Sequence, residues 1–513
     1  MSGEAKHECG IAAVSLKKPK DKFQALFYLY RCLLNLQHRG QLAAGFSTYN
    51  KERPKWLETY KEVGTVNELF RTNNKEKSFS IFKKYAGEKA IGHVRYATSG
   101  RDSASYAQPF ERMHGRLWKW FTFCFNGNLA NYTQLKNSLL GKPEYNIIYD
   151  TDTEIVMHYL ARELMGKSKP DMVSVFRKLT NKFDGAYNIA FMNGYGDLVV
   201  ARDPLGLRPL CYAIQNGNLI AASESNALVN CGFTNFKSLE PGKMIIAENG
   251  NIKIKEFAKS KRKAYCMFEW VYFANVSSVL NDRSVYGVRN RLGKELAKLE
   301  TEKITKDHVV VSVPDTAKAA GDALAFELGV PHVEGLIRNR YVGRTFIEGA
   351  GRDDRVRNKY TALYEVLKGK KVILVDDSIV RGATCRQLVR YLKKVGKAKE
   401  VHLRSTCPPI KAPCFYGIDM STVSELLVPR YEKKMDPNGI SKKICDKIAK
   451  DIGADSLIYQ TQEGLIRAID LPKKDLCMAC LNGEYPTCHG CKMYKKALIA
   501  FRKGRKEVKR TCE

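Results

Sequence analysis

Up to about residue 257 the chain runs as short apolar stretches cut by turn residues. Leu198-Val199-Val200-Ala201 stops at Asp203-Pro204, and Leu219-Ile220-Ala221-Ala222 follows Asn216-Gly217-Asn218. Such runs, bounded by Gly, Pro, Asn and Asp, predict strands. Two longer stretches, residues 22–36 and 153–165, read as helices, so this half combines sheets with packed helices and is not a bundle. Beyond residue 257 the pattern changes. Residues 308–313 (HVVVSV), 371–375 (KVILV) and 400–404 (EVHLR) are apolar strand candidates separated by helical segments, which predicts a parallel sheet covered on both faces. The polar, basic segment 256–263 (EFAKSKRK) marks the expected boundary. There is no internal repeat, and after Asp470 the tail is short, basic and rich in cysteine.

Composition narrows the classes. With 513 residues, 44% of them hydrophobic, the chain can bury more than one core, and two or three domains are expected. No apolar run approaches the roughly 20 residues that cross a bilayer, and MSGEAKHE is too polar for a signal-peptide core. The expectation is a soluble cytoplasmic protein with no membrane partner. The formal charge of +32 invites a nucleic-acid reading. The basic residues are nevertheless spread along the chain, and only residues 492–510 are dense, with six Lys and three Arg. A solvated lysine-rich surface and small anionic substrates account for the charge better than nucleic acid. Fifteen cysteines in such a chain point to metal ligands or a nucleophile, not a disulfide framework.

Several motifs carry chemistry. Glu8-Cys9-Gly10-Ile11 is followed by Gln37-His38-Arg39-Gly40-Gln41, Gly92-His93-Val94-Arg95-Tyr96-Ala97-Thr98, Asn126-Gly127-Asn128-Leu129 and Thr151-Asp152-Thr153-Glu154. Singly, each has an ordinary explanation: Asn126-Gly127 suits a hairpin turn and Asp152 a helix cap. Together, and with Asp184-Gly185-Ala186-Tyr187, the run 203–210 and Ala222-Ser223-Glu224-Ser225, they resemble the glutamine amidotransferases of the N-terminal-nucleophile type. The resemblance implies an αββα sandwich. It also implies loss of residues 1–8 as a propeptide, after which Cys9 supplies a thiol nucleophile and its own amine as base. It assigns the oxyanion to Asn126 and the Gly127 amide, the glutamine carboxylate to Arg95 and the ammonium to Asp152. This chain has Phe125 and Leu42 where the family usually carries His and an acid.

A second constellation follows residue 371: the strand runs into Asp376-Asp377-Ser378-Ile379-Val380-Arg381-Gly382-Ala383-Thr384. Two acids and a small hydroxylated loop opening a helix suit a phosphorylated sugar, with ribose hydroxyls on the acids and a phosphate on the loop amides, Ser378 and Thr384. This string resembles the phosphoribosyl pyrophosphate motif of type I phosphoribosyltransferases. Val313-Pro314-Asp315-Thr316 and residues 335–347, with Arg338, Arg340 and Arg344, narrow the resemblance to the amidophosphoribosyltransferases. The resemblance implies Asp376, Asp377, Ser378, Arg381, Gly382, Thr384 and Arg344 as substrate ligands. Mg2+ is implied at Asp376 and Asp377, bridging substrate oxygens with few protein ligands. Residues 348–359 correspond to a closing loop, about two residues short of the usual pattern. Asn275-Val276-Ser277-Ser278 stands where the family tends to have Arg-Pro-Asp-Ser.

Cys477-Met478-Ala479-Cys480 and Cys488-His489-Gly490-Cys491 are two CxxC pairs, for which tetrahedral zinc is the first reading from the residues alone. The family's iron-sulfur subgroup instead implies a [4Fe-4S] cluster on Cys266, Cys414, Cys477 and Cys480, leaving Cys488 and Cys491 unassigned.

The expectation is therefore a glutaminase domain at residues 9–257, a phosphoribosyltransferase domain at 258–470 and a cysteine-rich tail at 471–513, of α+β and then α/β class. Its implied reaction joins glutamine-derived ammonia to phosphoribosyl pyrophosphate, opening purine synthesis, in a homotetramer inhibited by purine nucleotides. A glutamine-dependent sugar-phosphate aminotransferase shares the first domain but would lack the Asp376-Asp377 loop. The alternative from another class is a silent nucleotide-sensing or nucleic-acid-binding regulator, supported by charge and opposed by the intact Cys9 set.

Overall fold

The computed structural model describes residues 9–19, 21, 23–96, 103–339, 359–420, 422–432, 436 and 439–505. Arg340, Arg344, residues 1–8 and residues 348–358 of the expected closing loop lie outside this set.

The first half holds two antiparallel sheets. One has seven strands, in edge-to-edge order Lys237–Ser238, Cys211–Gln215, Asn218–Ala222, Gly10–Ser15, Lys89–Arg95, Ala43–Tyr49 and Leu57–Val63. The other has six: Asn251–Glu256, Lys243–Glu248, Leu198–Arg202, Gly185–Asn193, Phe121–Leu129 and Phe110–Arg112. Strand periodicity sorts their side chains into layers. Ile11 and Ala13 meet Cys124, Ala190, Met192 and Val200 between the sheets. Ala12 and Val14 point the other way, onto Leu26, Leu29 and Leu33 of the helix Gln24–Asn35. Behind the second sheet, Phe123, Ile189 and Phe191 pack on Ile155, Tyr159 and Phe176 from Asp152–Glu163 and Met172–Thr180. The result is an αββα sandwich, as the resemblance implied.

Five α-helices of the first half escaped the sequence reading: Val66–Leu69, Lys75–Lys84, Tyr132–Leu140, Met172–Thr180 and Ser225–Val229. Lys75–Lys84 buries no residue, with only Ile81 and Phe82 leaning on the core, and the others are short.

The second half centres on a parallel sheet, His308–Ser312, Lys371–Asp376, Glu400–Ser405 and Ser456–Tyr459 in neighbouring order. Its last strand was not anticipated. One face packs Val310, Ile373 and Val375 on Leu296, Ala320 and Leu324. The other packs Val311, Val372 and Leu374 on Leu388, Leu392, Ile448 and Ile452. Burial on both faces explains why His308–Ser312 and Lys371–Asp376 read as nearly unbroken apolar runs, whereas Glu400–Ser405 buries His402 and Arg404 between its apolar residues. The tail returns to this half: Leu476–Cys477 pairs in parallel with Tyr265–Cys266, placing Cys477 opposite Cys266. No helix among the described residues is long and apolar enough to cross a membrane.

Candidate functional site

Cys9 stands directly before the central strand Gly10–Ser15. Its carbonyl accepts from Arg39 Nε at 3.2 Å. Burial pushes its thiol up, while the Tyr96 amide and the nearby Arg95 and Arg208 pull it back and Asp152 opposes them. The thiol thus already sits among the two charged residues expected to hold glutamine.

Asn126 and Gly127 do not form a turn; they lie inside the strand Phe121–Leu129, where Gly127 is opposite Tyr187. A Cβ on Gly127 would stand 1.9 Å from the Ala186 carbonyl oxygen, so only glycine permits this strand approach. Asn126 Nδ2 donates to Ser223 Oγ at 3.3 Å, and that oxygen also accepts the Ile11 amide at 3.0 Å. Ser223 therefore ties the expected oxyanion donor to the strand that follows the nucleophile.

Asp152 is the first residue of its helix, and Thr151 is the cap, its Oγ1 accepting from the Glu154 amide at 3.3 Å. The carboxylate of Glu154 accepts the amides of Ile148, Tyr149 and Asp150, which fixes the loop leading into Asp152. Gln108 clamps the neighbouring strand: its Oε1 accepts the Phe125 amide at 2.6 Å, and its Nε2 donates to the Phe125 carbonyl and Thr153 Oγ1, each at 3.2 Å. The Arg95 guanidinium lies 5.7 Å from the Tyr106 ring centre. Gln108 and Ser223 were missed as supports; no local spacing marks either.

Beneath Cys9 is a buried charge cluster. Arg39 pairs with Glu224 (2.5 Å) and Glu269 (3.0 Å), and Arg208 approaches Glu269 at 3.4 Å. Glu224 also accepts the Asn275 amide (2.8 Å) and Ser278 Oγ (2.7 Å). Against the burial that would raise it, His38 and Arg39 hold the Glu224 carboxyl well below the usual range.

In the second half, Asp376 ends its strand and Asp377 follows, both buried. Asp376 Oδ1 accepts the Asp377 amide (2.9 Å), Asp377 Oδ1 accepts Ser378 Oγ (2.8 Å), and Asp377 Oδ2 accepts Thr316 Oγ1. Gly382 caps the helix Ala383–Lys394 at φ 76°, a left-handed conformation that calls for glycine. Thr384 lies in that helix's first turn. Arg381, in the same loop, donates from Nε to Glu425 (2.9 Å) and from Nη2 to the Asp419 carbonyl (3.0 Å), contacts that hold its guanidinium beside the loop. Arg338 pairs with Asp315 at 2.9 Å.

Cys266, Cys414, Cys477 and Cys480 line one cavity with Phe268, Pro413, Ile418 and Met420. Burial raises the thiols of Cys266 and Cys480 and pushes Cys477 up to about 12, and neighbouring cysteines add to each shift. Cys488 is exposed, and Cys491 Sγ bonds the Tyr485 carbonyl at 3.3 Å. The two CxxC pairs therefore do not share this cavity. Among the described residues no group of three or more His, Cys, Asp or Glu converges to hold a metal ion. Four thiols from three chain segments thus line one apolar cavity, an arrangement different from a single site on the two CxxC pairs.

Residues 78–241 match a glutamine amidotransferase domain. The chain is 36% identical to the amidophosphoribosyltransferase of Methanothermobacter thermautotrophicus, over 94% of this chain and 95% of the relative. It is 37% identical to that of Bacillus subtilis, over 89% and 90%. The solved structure of the B. subtilis glutamine phosphoribosylpyrophosphate amidotransferase, complexed with ADP and GMP, superposes with a TM-score of 0.80 at 34% identity, covering 93% of this chain and 97% of that one.

Proposed function

The chain belongs to the amidophosphoribosyltransferases, and from that premise we propose how its own residues divide the reaction. The enzyme is a glutamine-dependent transferase that makes 5-phosphoribosylamine, pyrophosphate and glutamate from phosphoribosyl pyrophosphate, glutamine and water, the committing step of purine synthesis. Removal of residues 1–8 frees the Cys9 amine, whose reference pKa of roughly 7.7–8.0 leaves a usable neutral fraction to take the thiol proton. Arg95 and Asp152 hold the glutamine carboxylate and ammonium. The Cys9 sulfur attacks the side-chain amide while Asn126 Nδ2 and the Gly127 amide stabilise the oxyanion. Ammonia leaves, and water hydrolyses the thioester to glutamate. The ammonia then attacks the anomeric carbon of the sugar, with inversion, as pyrophosphate departs.

Asp376 and Asp377 take the ribose hydroxyls, and Ser378, Gly382 and Thr384 the 5-phosphate; Arg344 is assigned to pyrophosphate. Asp376 and Asp377 would also hold Mg2+ together with substrate oxygens, and the ion would neutralise charge on the departing pyrophosphate. Cys266, Cys414, Cys477 and Cys480 would hold a [4Fe-4S] cluster whose contribution is a structural crosslink between the tail and the second half. Homotetramer formation and inhibition by purine nucleotides complete the proposal, the latter supported by the ADP- and GMP-bound relative.

The observation that carries this assignment is that Cys9 leads into the strand Gly10–Ser15 while Ser223 Oγ joins Asn126 Nδ2 to the Ile11 amide of that strand, with Arg95 and Asp152 in electrostatic reach of the thiol. Its test is glutamate and pyrophosphate release by anaerobically purified protein with a free Cys9 terminus, with and without phosphoribosyl pyrophosphate. Near-equal release that depends on the sugar supports it. In Cys9→Ala, release with glutamine should vanish and pyrophosphate release with added ammonia should persist; survival of the glutamine reaction would overturn the assignment.

A further inference from the structure

Away from both sites and from the four-cysteine cavity, two thiols from distant parts of the sandwich half face each other. Cys32 Sγ and Cys231 Sγ lie 3.6 Å apart, although 199 residues separate them along the chain. Cys32 belongs to the helix Gln24–Asn35, and Cys231 follows the helix Ser225–Val229. Each sulfur also approaches a carbonyl of the opposite segment, Cys32 that of Ala227 at 3.8 Å and Cys231 that of Tyr28 at 3.7 Å, so both side chains already point across one seam. Arg31 crosses it too, its Nη2 donating to the Asn230 carbonyl. Cys32 is fully buried, whereas Cys231 keeps 6% of its surface accessible between the exposed Asn230 and Gly232. The hydrogen bond from Cys32 draws the Cys231 thiol down, burial opposes it and Arg31 adds to the fall, while the same bond and burial raise Cys32. The outer sulfur is thus the better nucleophile, and the inner one stands ready as its resolving partner.

We propose that Cys32 and Cys231 are a modification site, which hydrogen peroxide converts to a disulfide stapling the helix Gln24–Asn35 to the turn after Ser225–Val229. The inference stands apart from the function proposed above. The Cys231 sulfur attacks one peroxide oxygen and the O–O bond breaks. Hydroxide leaves, takes up the thiol proton as water, and Cys231 becomes a sulfenic acid. The Cys32 sulfur then attacks the Cys231 sulfur, the S–O bond breaks, and the oxygen departs as a second water carrying the Cys32 proton. In all, the two thiols give up two electrons and two protons, and the peroxide is reduced to water. Bonded sulfurs stand roughly 2.05 Å apart, so the 3.6 Å gap must close by about 1.5 Å. The turn can supply that movement: Val229, Asn230 and Gly232 are exposed, and nothing crowds the position of a Cβ on Gly232. The helix cannot, because Leu26, Leu29 and Leu33 fix it in the core. Cys32 stands seven residues before Arg39 and Cys231 seven after Glu224, so the staple closes a ring through the Arg39–Glu224 ion pair beneath Cys9.

The test treats the full, anaerobically purified protein with hydrogen peroxide, blocks remaining thiols after unfolding, and maps the peptides by mass. A peptide pair linked through Cys32 and Cys231 should appear and should vanish on treatment with dithiothreitol. Cys124 and Cys211, buried as deeply as Cys32, should remain free thiols. The link should form equally in Cys9→Ala, whatever the fate of the glutaminase assignment. A crosslink across 199 residues removes freedom from the unfolded chain. Treated protein should therefore melt at least roughly 3 °C above Cys231→Ser or Cys32→Ala treated alike, and the difference should disappear with dithiothreitol. The peptide map of the unaltered protein needs no variant to fold. Both cysteines recovered as free thiols, Cys231 recovered as a sulfinic acid beside a free Cys32, or a link between two chains would each overturn the proposal. A linked pair with no difference in melting would overturn the stapling.

Discussion

Gly127→Ala is the most direct probe of the oxyanion assignment, because its consequence can be worked from one distance. The added methyl would meet the Ala186 carbonyl oxygen at 1.9 Å and the Tyr187 Cα at 2.8 Å, where real Cβ contacts below 3.0 Å are essentially never found. These atoms are backbone in the paired strand Gly185–Asn193, so no side chain can swing aside. The strands must part by about 1 Å, an overpacking strain of roughly 1–3 kcal/mol. That shift is about twice the ~0.5 Å within which a catalytic constellation must be held. It falls on the Gly127 amide and on Asn126 beside it, and loss of one oxyanion donor costs roughly 100- to 1,000-fold in turnover. Glutamine-dependent turnover should therefore fall by that factor, while ammonia-dependent pyrophosphate release stays within about twofold. A glutamine reaction reduced less than about threefold, in a variant that folds, would refute the idea that this strand approach holds the donors.

Two further outcomes follow from buried groups. Burial, reinforced by Arg95, lowers the His93 ring to about 3 from its usual 6.5, so the unfolded chain binds the extra proton first as pH falls. Its contribution to stability is complete above pH 6.5 and drains away toward pH 3, by about 2 kcal/mol between pH 7 and pH 5. Urea unfolding of the unaltered protein and His93→Leu should differ by that slope, and equal slopes would exclude the neutral buried ring. Anaerobic chelation, or Cys266→Ser, should bleach a visible iron-sulfur absorbance and lower the melting midpoint by at least roughly 5 °C. A colourless protein with one bound zinc would instead favour the other metal.

The parts of the site legible in sequence were those whose chemistry is written in contiguous strings. Cys9-Gly10, Asn126-Gly127 and Asp376-Asp377 each keep their context within a few residues, so their order along the chain could be read against a family. Position within the fold was less legible: Asn126-Gly127 has turn-forming chemistry yet occupies the middle of a long strand, because pairing with Gly185–Asn193 overrides local preference. The strand Ser456–Tyr459 was missed because it is four residues long and alternates, with Leu457 and Tyr459 inward. The supporting shell was not legible at all. Arg39 and Glu269 are 230 residues apart and Asn128 and Phe415 are 287 apart, and no periodicity links such partners. Arg381 shows the converse, a residue inside a matching string whose bonding to Glu425 and Asp419 only three dimensions reveal.

The cluster of Arg39, Arg208, Glu224 and Glu269 also cannot be explained by stability alone. A buried ion network usually gains little over well-packed apolar side chains of similar volume, whereas deleting one member leaves the others uncompensated at roughly 3–5 kcal/mol. What such a network supplies is a definite alignment of the pieces that meet in it. Here Arg39, Arg208 and Glu224 come from the sandwich and Glu269 from the segment entering the parallel-sheet half. Arg208 also bonds the Tyr416 carbonyl, and Asn128, next to Gly127, bonds the Phe415 carbonyl at 2.9 Å. These two bonds run to the segment that follows Cys414, so the cysteine cavity, the oxyanion strand and the charge cluster share one set of constraints. Apolar residues of the two halves, Ala130, Ala186 and Leu207 with Ala412, Phe415 and Tyr416, pack together beside these bonds, so the apolar cluster supplies adhesion and the directional charged contacts supply registry.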